Sequence, residues 1–332
     1  MTVDSSITGK SFLKEIDFSQ SELEFLISYA EKLKHHVSDE EQLDILKGKH
    51  FALLFEKQST RTRSAFTVAA SKLGAHTEYL SKNDIQLGSK ESVEDTAKVL
   101  GSMFDGIAFR GYAQKTVEEL GEYASVPVWN ALTNQWHPTQ MLADFLTIKE
   151  TLGTYKGKNI TFIGDGDNNM ANSLLVTSVI LGANINIVAP DSLQPSEKVM
   201  EIVSGLQQNS NSKVNITSSI EDGIAGSDVI YTDVWCSMGE EADFDRKYQL
   251  LKDYQVNENL ISSINNPDIL FLHCLPAIHD TNTDVGKMAY EKYGTVGLEV
   301  TDDVFHASYS KVFEQAENRM HSIKALLAAT FT

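Results

Sequence analysis

Short apolar runs alternate with longer amphipathic segments along most of this 332-residue chain. The runs are rich in β-branched and aromatic side chains and predict strands. They lie at 51–55, 77–80, 106–109, 126–129, 159–164, 184–188, 214–217, 229–232 and 269–273. The segments between them have helical periodicity, for example 60–72, 93–103, 117–123, 139–152, 171–181 and 196–207. Regular alternation of strand and helix predicts an α/β protein with parallel sheets covered on both faces.

A polar segment at 153–158 separates a long helical pattern from a new strand, and we place a domain boundary there. The length supports two domains, since a domain averages roughly 150 residues. We therefore predict two doubly wound domains, residues 1–152 and 153–310, followed by a closing helix at 311–332.

The first amphipathic helix has a recognisable N-terminal signal. Ser21 and Glu24 have the spacing of a capping box, in which each side chain satisfies the other residue's backbone N–H. This spacing predicts that the helix begins at Ser21.

Composition and charge narrow the functional classes. Apolar residues make up 42% of the chain and charged residues 22%, which is ordinary for a globular protein. Acidic residues outnumber basic ones 46 to 28, and the formal charge of −18 disfavours nucleic acid or an anionic membrane as partner. Two cysteines cannot build a disulfide framework, and no segment reads as a signal peptide or a membrane span. We expect a cytoplasmic protein.

An anion-binding motif, S-T-R-T-R at 59–63, follows the strand at 51–55. Hydroxyl groups, the free N–H groups of a helix start and guanidinium groups would converge there, as a phosphate dianion requires. The chain has only five arginines, and two of them lie in this motif. We interpret it as a phosphate cradle; the alternative is an ordinary N-cap followed by solvated arginines.

Further polar groups follow other predicted strands, where ligands bind in parallel sheets. They are Arg110, His137, Gln140, G-D-G-D-N-N at 164–169, D-V-W-C-S-M-G at 233–239 and H-C-L-P at 273–276. The segment at 164–169 is similar to a dinucleotide-binding loop but lacks the third glycine of G-x-G-x-x-G. A nucleotide-dependent dehydrogenase is therefore an alternative that the incomplete fingerprint disfavours.

Four of these motifs, in this order, resemble those of the aspartate/ornithine carbamoyltransferase superfamily. They are S-T-R-T-R at 59–63, H-P-T-Q at 137–140, D-V-W-C-S-M-G at 233–239 and H-C-L-P at 273–276. The resemblance covers nearly the whole chain, including E-N-R-M-H-S-I-K at 317–324. It implies that the closing helix packs back on the first domain and that the protein is a homotrimer or an assembly of trimers.

The same resemblance implies transfer of a carbamoyl group from carbamoyl phosphate to the δ-amine of L-ornithine. Residues implied to bind carbamoyl phosphate are Ser59, Thr60, Arg61, Thr62, Gln86 (from a neighbouring subunit), Arg110, His137, Gln140, Cys274, Leu275 and Arg319. Residues implied to bind ornithine are Asn169, Asp233, Ser237 and Met238. Residues implied to act in catalysis are Arg110, His137, Cys274 and Asp233.

Other functions stay open at this point. The acceptor could be putrescine or a modified ornithine, or the chain could be a non-catalytic protein that binds an anionic metabolite. Because His273 and Cys274 lack further ligands at a recognisable spacing, we expect neither a metal nor an organic cofactor. The direction of the reaction also stays open, because synthesis of the product and its phosphorolysis would use the same site.

Overall fold

The computed structural model describes residues 6–88, 90–237 and 239–332. In this part of the chain the strands are β1 (His50–Phe55), β2 (His76–Ser81), β3 (Gly106–Arg110), β4 (Val128–Leu132), β5 (Asn159–Ile163), β6 (Asn184–Val188), β7 (Val214–Thr217), β8 (Val229–Thr232) and β9 (Leu270–His273). They form a four-stranded sheet in the order β2-β1-β3-β4 and a five-stranded sheet in the order β7-β6-β5-β8-β9. Neighbouring strands are parallel throughout both sheets, which confirms the predicted fold class.

Helices connect the strands. They are α1 (Gln20–His35), α2 (Asp39–Gln42), α3 (Thr60–Lys72), α4 (Val93–Met103), α5 (Gln114–Tyr123), α6 (Pro138–Leu152), α7 (Asn169–Leu181), α8 (Glu197–Gln207), α9 (Ile220–Ile224), α10 (Phe244–Leu251), α11 (Glu258–Ile264), α12 (Asp284–Tyr293), α13 (Asp302–Phe305) and α14 (Val312–Phe331). Short 3-10 turns lie at Glu15–Asp17, Asp191–Leu193, Glu241–Asp243 and Lys252–Tyr254. Among the described residues, no helix combines the length and the hydropathy needed to cross a bilayer.

The chain divides into two compact units. Unit 1 comprises the residues up to Thr147 together with Ala316–Thr332, and unit 2 comprises Ile148–Gln315. Both divisions fall inside helices, α6 and α14, and lie a few residues from the boundaries at 152 and 311 that we expected from the sequence.

In unit 1, β1 contains the apolar run F-A-L-L-F at 51–55, and every one of these five residues is buried. Burial on both faces is what a central strand of a parallel sheet requires. The end of α14 packs on this sheet: the Phe331 ring stacks on Phe51 at 5.5 Å, and the Trp129 indole N–H donates to the Thr330 hydroxyl (3.2 Å). The closing helix therefore returns to the first unit, as expected.

In unit 2, α7 lies against the five-stranded sheet and is buried along nearly its whole length. Its N-cap is Asn168, whose side-chain oxygen accepts from the backbone N–H of Ala171 (2.8 Å). The helix therefore begins at Asn169, two residues before the predicted start at 171. The core of this unit gathers apolar side chains from β5, β6, β8 and β9.

The predicted start of the first helix was wrong by two residues. Ser19 is the N-cap, and its capping box is closed by Glu22, whose carboxylate accepts from the Ser19 backbone N–H (2.7 Å). Ser-x-x-Glu occurs twice in this segment, so spacing alone does not choose the start. With Ser19 as the N-cap, the buried residues Phe18 and Leu23 occupy the two positions of a hydrophobic staple.

Strand β4 begins two residues later than predicted and extends to Leu132. Pro127 has no N–H to give to a ladder, so strand pairing starts after it. The polar residue Asn130 does not end the strand because it is satisfied inside the fold, where its amide donates to the Leu13 carbonyl (2.9 Å) and to Gln114 (3.2 Å).

Candidate functional site

Each sheet has a point where strand order reverses, and ligands bind beyond the carboxyl ends of strands at such points. In the sheet of unit 1 the reversal lies between β1 and β3, and in that of unit 2 between β5 and β8. The predicted motifs follow these four strands, with H-P-T-Q after β4 and H-C-L-P after β9. Each sheet therefore brings its own candidate residues to one edge.

The helix start after β1 has the features of an anion site. Ser59 is the N-cap of α3, and its hydroxyl accepts from the backbone N–H of Thr62 (3.1 Å). Thr60 and Arg61, in the first turn, are exposed. The free N–H groups and the positive end of the helix dipole attract an anion at this position.

Two buried guanidinium groups converge on Thr62. Arg110 Nη1 donates to the Thr62 hydroxyl at 3.4 Å, and Arg319 Nη2 donates to the same oxygen at 3.2 Å. Arg110 ends β3 at a shift of register against β4, and such bulges redirect a side chain. Arg319 comes from α14, so the helix that returns to unit 1 completes this cluster.

His137 is fully buried at the edge of the same cluster. Burial lowers the pKa of its imidazole well below the usual range, and the positive charges of Arg319, Arg110 and Arg61 lower it further. The ring is therefore neutral at pH 7 and offers one N–H as a donor.

The amide of Gln140 is oriented by charged partners on both sides. Its oxygen accepts from Arg319 Nη1 (2.5 Å), and its nitrogen donates to the buried carboxylate of Asp144 (2.7 Å). Asp144 was missed in the sequence analysis, although its i,i+4 position relative to Gln140 on α6 places the two side chains on one helix face.

Two residues of the first half lie outside this cluster of contacts. The guanidinium of Arg63, the second arginine of S-T-R-T-R, stacks over the Tyr79 ring at 3.7 Å. Gln86 is exposed in the loop between β2 and α4, where its backbone carbonyl accepts from Lys90 and Glu91.

In unit 2, Asp233 follows β8 and is only 7% exposed. Burial raises the pKa of its carboxyl to about 7, and the negative charges of Glu299 and Asp165 act in the same direction. His273 and the backbone N–H of Val234 oppose the rise in pKa. The group therefore changes its charge near neutral pH and favours a cationic partner.

The H-C-L-P segment is held by a buried pair that the sequence analysis missed. His273 Nε2 lies 3.1 Å from Glu299 Oε1, and both side chains are fully buried. The backbone N–H of His273 donates to Gln315 Oε1 (3.0 Å). Cys274 and Leu275 follow and are half-buried, and the Leu275–Pro276 peptide bond is cis.

An ion-pair network connects the loops that follow β5 and β8. Lys247, from α10, lies 2.7 Å from Asp165 and 2.6 Å from Glu240. The Glu240 carboxylate also accepts from the backbone N–H of Ser237 (3.1 Å), so the network reaches the predicted acceptor segment. Asn169 is half-buried at the first position of α7, and Met238 lies outside the described residues.

The two edges have opposite chemistry. The edge in unit 1 offers arginines, hydroxyls, helix N–H groups and a neutral imidazole, which suit a phosphate and a carbonyl oxygen. The edge in unit 2 offers carboxylates and amides, which suit an ammonium group. Two parallel α/β units with such edges define a two-domain α/β protein that is suited to bind an anionic and a cationic small molecule.

Comparison with known proteins identifies the family. Residues 10–150 match the model of the aspartate/ornithine carbamoyltransferase carbamoyl-P binding domain, and residues 156–330 match that of the Asp/Orn binding domain. The chain belongs to the aspartate/ornithine carbamoyltransferase family.

Full-length relatives and solved structures agree with this assignment. The catabolic ornithine carbamoyltransferase of Latilactobacillus sakei is 56% identical over 98% of this chain and 97% of its own, and that of Streptococcus ratti is 57% identical over 97% and 96%. The structure of ornithine carbamoyltransferase from Pyrococcus furiosus superposes with a TM-score of 0.89 at 38% identity, over 98% of each chain.

Proposed function

We propose that this protein transfers the carbamoyl group of carbamoyl phosphate to the δ-amine of L-ornithine, giving L-citrulline and phosphate. The observation that carries the proposal is the cluster in unit 1, where neutral His137 lies among the charges of Arg110 and Arg319. Unit 1 binds carbamoyl phosphate, and unit 2 binds ornithine.

In unit 1, the phosphate is held by Ser59, Thr60, Arg61, Thr62 and Arg110. The carbonyl oxygen accepts from His137, Thr62 and Arg110, which stabilise the negative charge that develops when the amine attacks. A neutral imidazole is suited to this role because it donates a hydrogen bond without giving up its proton. Gln140 holds the carbamoyl amide, and its own orientation is set by Arg319 and Asp144.

In unit 2, the carboxylate of Asp233 pairs with the α-ammonium group of ornithine. Ser237 and the backbone N–H of Met238 receive the α-carboxylate, and Asn169 contributes an amide. Cys274 and Leu275 offer backbone carbonyls to the carbamoyl amide. Putrescine has no α-carboxylate and would leave Ser237 unpaired, and aspartate would bring a second negative charge to an acidic edge.

The reaction requires a neutral amine. Reaching it from an alkylammonium of pKa 10.4 costs about 3.4 pH units at pH 7, or roughly 4.6 kcal/mol. The neutral δ-nitrogen forms a bond to the carbonyl carbon and gives a tetrahedral intermediate. The bond from that carbon to the phosphate oxygen then breaks, and phosphate leaves with the electron pair and takes the proton that the nitrogen releases. Asp233 and the Cys274 thiol orient the amine for this transfer.

The proposal extends to assembly, location and direction. We infer a cytoplasmic homotrimer or an assembly of trimers, in which Gln86 of one subunit contacts the phosphate bound to its neighbour. The names of the relatives from L. sakei and S. ratti include the word catabolic, and this supports phosphorolysis of citrulline as the direction in the cell. An enzyme accelerates both directions of one equilibrium, so the supply of citrulline and phosphate sets the direction.

The test is a citrulline-formation assay with carbamoyl phosphate and ornithine, run in parallel with putrescine and with aspartate. We expect rapid formation of citrulline and little product from the other two acceptors. Turnover of putrescine at the rate of ornithine would reassign the acceptor. Binding of carbamoyl phosphate without turnover of any acceptor would favour a non-catalytic binding protein.

A further inference from the structure

Two histidines and an aspartate meet in unit 2, outside the residues proposed to bind either substrate. His279 Nδ1 lies 2.7 Å from Asp302 Oδ1, and His306 Nε2 lies 3.5 Å from the same oxygen. One ligand atom from each of the three residues lies within 4.8 Å of the other two. His279 belongs to the loop after β9, whereas Asp302 begins α13 and His306 is the C-cap residue that follows it.

One aromatic ring orients both imidazoles. Phe305, which is buried, stacks face to face with His279 at 3.9 Å with an interplanar angle of 5°. The same ring meets His306 edge-on at 5.0 Å and 88°. The ring positions of both histidines are therefore restricted before any ligand binds, which reduces the entropy that binding costs.

The surroundings favour a cation. The carboxylate of Asp280 interacts electrostatically with both His279 and His306, and Asp303 follows Asp302 on α13. Asp302 and His306 are each more than half exposed, so water has access to the open coordination positions of an ion.

A hydrogen-bonded pair of His279 and Asp302 would by itself explain two of the three residues. It does not use His306, which is aimed at the same carboxylate oxygen from the opposite end of α13. Two imidazoles and a carboxylate are the donor set that Zn²⁺ and Ni²⁺ prefer, whereas Mg²⁺ and Ca²⁺ require mostly oxygen ligands.

We propose that His279, Asp302 and His306 bind one divalent transition-metal ion of the Zn²⁺ or Ni²⁺ type, with water completing the coordination. The ion is structural, because it joins the loop after β9 to α13. Two backbone-linked contacts already attach this loop to the segment before α13: Leu298 N–H donates to the Ile278 carbonyl, and Ile278 N–H donates to Glu299 Oε1, both at 2.6 Å. Bound metal adds a third link and raises the melting temperature.

The proposal is independent of the transferase activity, and its test needs no substrate. The full-length protein is freed of metal with a chelator and titrated with NiCl₂ by calorimetry, and its melting temperature is recorded with and without Ni²⁺. The variants are His306→Gln, which removes a ligand, and His306→Glu, which supplies a carboxylate in its place. His36→Gln, an exposed histidine outside the cluster, is the control.

We expect one Ni²⁺ per chain in the wild type and in His36→Gln, with a higher melting temperature when Ni²⁺ is bound. His306→Gln should bind at least about tenfold more weakly and lose the thermal shift, and His306→Glu should recover part of the affinity. Binding with equal affinity in the wild type and His306→Gln would overturn the proposal, as would the absence of binding in both.

Co²⁺ in place of Ni²⁺ separates this site from the two cysteines, because thiolate ligation gives charge-transfer absorption and imidazole does not. Such absorption from the tightly bound ion would also overturn the proposal.

Discussion

At the scale of single residues, burial acts on His137 and Asp233 in the same sense. It disfavours the charged form of each, so the pKa of the histidine falls and that of the aspartate rises. In His137 the neighbouring arginines strengthen the effect, and the result is a neutral hydrogen-bond donor. In Asp233 the result is a carboxyl group that a bound cationic group would shift toward its ionised form.

The raised pKa of Asp233 predicts a dependence of stability on pH. Because its folded pKa of about 7 exceeds the ordinary 3.8, the unfolded chain releases this proton first as pH rises. The contribution of this group to the free energy of unfolding therefore falls between about pH 4 and pH 7 and is constant above pH 7. Asp233→Asn removes this contribution. The melting temperature of the variant minus that of the wild type should therefore be larger at pH 8 than at pH 5, by about 2 °C or more.

Calorimetry of the ligand-free protein at the two pH values measures this difference. Asp191→Asn, which changes an exposed carboxylate, is the matched control and should give the same small difference at both. A gain for Asp233→Asn that is equal at pH 5 and pH 8 would contradict the raised pKa.

Arg61 and Arg63 provide a matched pair for testing the phosphate cradle. Both are exposed and lie on α3, but Arg63 stacks on Tyr79, whereas Arg61 lies in the first helical turn. Loss of a charge-assisted phosphate contact typically reduces affinity about thirtyfold or more. We expect that reduction in Arg61→Ala and a change below about threefold in Arg63→Ala, as measured by calorimetric titration with carbamoyl phosphate. Similar losses of affinity in both variants would contradict the assignment. They would mean either that the phosphate binds elsewhere or that any positive charge on this helix contributes equally.

At the scale of elements, helices support the loops that carry the chemistry. In unit 2 the support comes from α10, whose buried Lys247 joins Asp165, after β5, to Glu240, after β8. Glu240 in turn accepts from the Ser237 backbone N–H. The position of the proposed acceptor segment therefore depends on a lysine that contacts no substrate in the proposal.

Lys247→Met should destabilise the protein and weaken ornithine binding. Removing one partner of a buried ion pair leaves an uncompensated charge, here on Asp165, and costs about 3 to 5 kcal/mol. We expect a lower urea midpoint and a higher KM for ornithine, with little change in the KM for carbamoyl phosphate. Urea unfolding and steady-state kinetics measure these quantities.

The neighbouring Arg246 is the control for this experiment. It pairs with Asp243 at an exposed position, where ion pairs contribute little to stability. Arg246→Ala should therefore leave the urea midpoint and both KM values nearly unchanged. An equal rise in both KM values in Lys247→Met would argue against a specific role in positioning the acceptor segment.

At the scale of the whole molecule, the path of the chain decides which residues share a site. Arg319 donates to Thr62, although 257 residues separate them in sequence, because α14 returns to unit 1. This return also places Lys34 against Asn318 (2.8 Å) and Lys324 against the Leu33 carbonyl (3.2 Å). The last helix is therefore part of the first unit in both packing and chemistry.

The proposed trimer predicts complementation between two inactive variants. Gln86→Ala and Arg61→Ala remove groups that, in the proposal, come from different subunits to one phosphate. In trimers refolded from an equal mixture, a site is intact where a Gln86→Ala subunit supplies Arg61 and its Arg61→Ala neighbour supplies Gln86. Random mixing gives this arrangement at about one quarter of all sites. We expect each variant alone to have low activity and the mixture to recover a substantial fraction. Activity of the mixture equal to the mean of the two variants would show that Gln86 serves its own subunit.

Local patterns in the sequence were sufficient for much of this protein. Parallel strands and covering helices could be predicted because hydrophobic periodicity is a property of neighbouring residues. Motifs at strand ends could be grouped because parallel strands present their carboxyl ends at one edge of a sheet. This grouping covers Ser59, Arg110 and His137 in the first half of the chain and Asn169, Asp233 and Cys274 in the second. Their roles in binding were implied only by the resemblance to the carbamoyltransferase motifs.

Only the tertiary structure decided the features that depend on burial or on contacts between residues far apart in the chain. Staple residues Phe18 and Leu23 select between two capping boxes because both become buried. The pKa of Asp233 is set by the absence of water around it together with Glu299, Asp165 and His273. Asp144 lies within an ordinary helical pattern, where its i,i+4 spacing to Gln140 does not distinguish it from other polar residues. Lys247 and the His279–Asp302–His306 cluster depend on contacts between segments that are distant in sequence. A sequence specifies such contacts through its fold, since side-chain distance and desolvation exist only once the chain has packed.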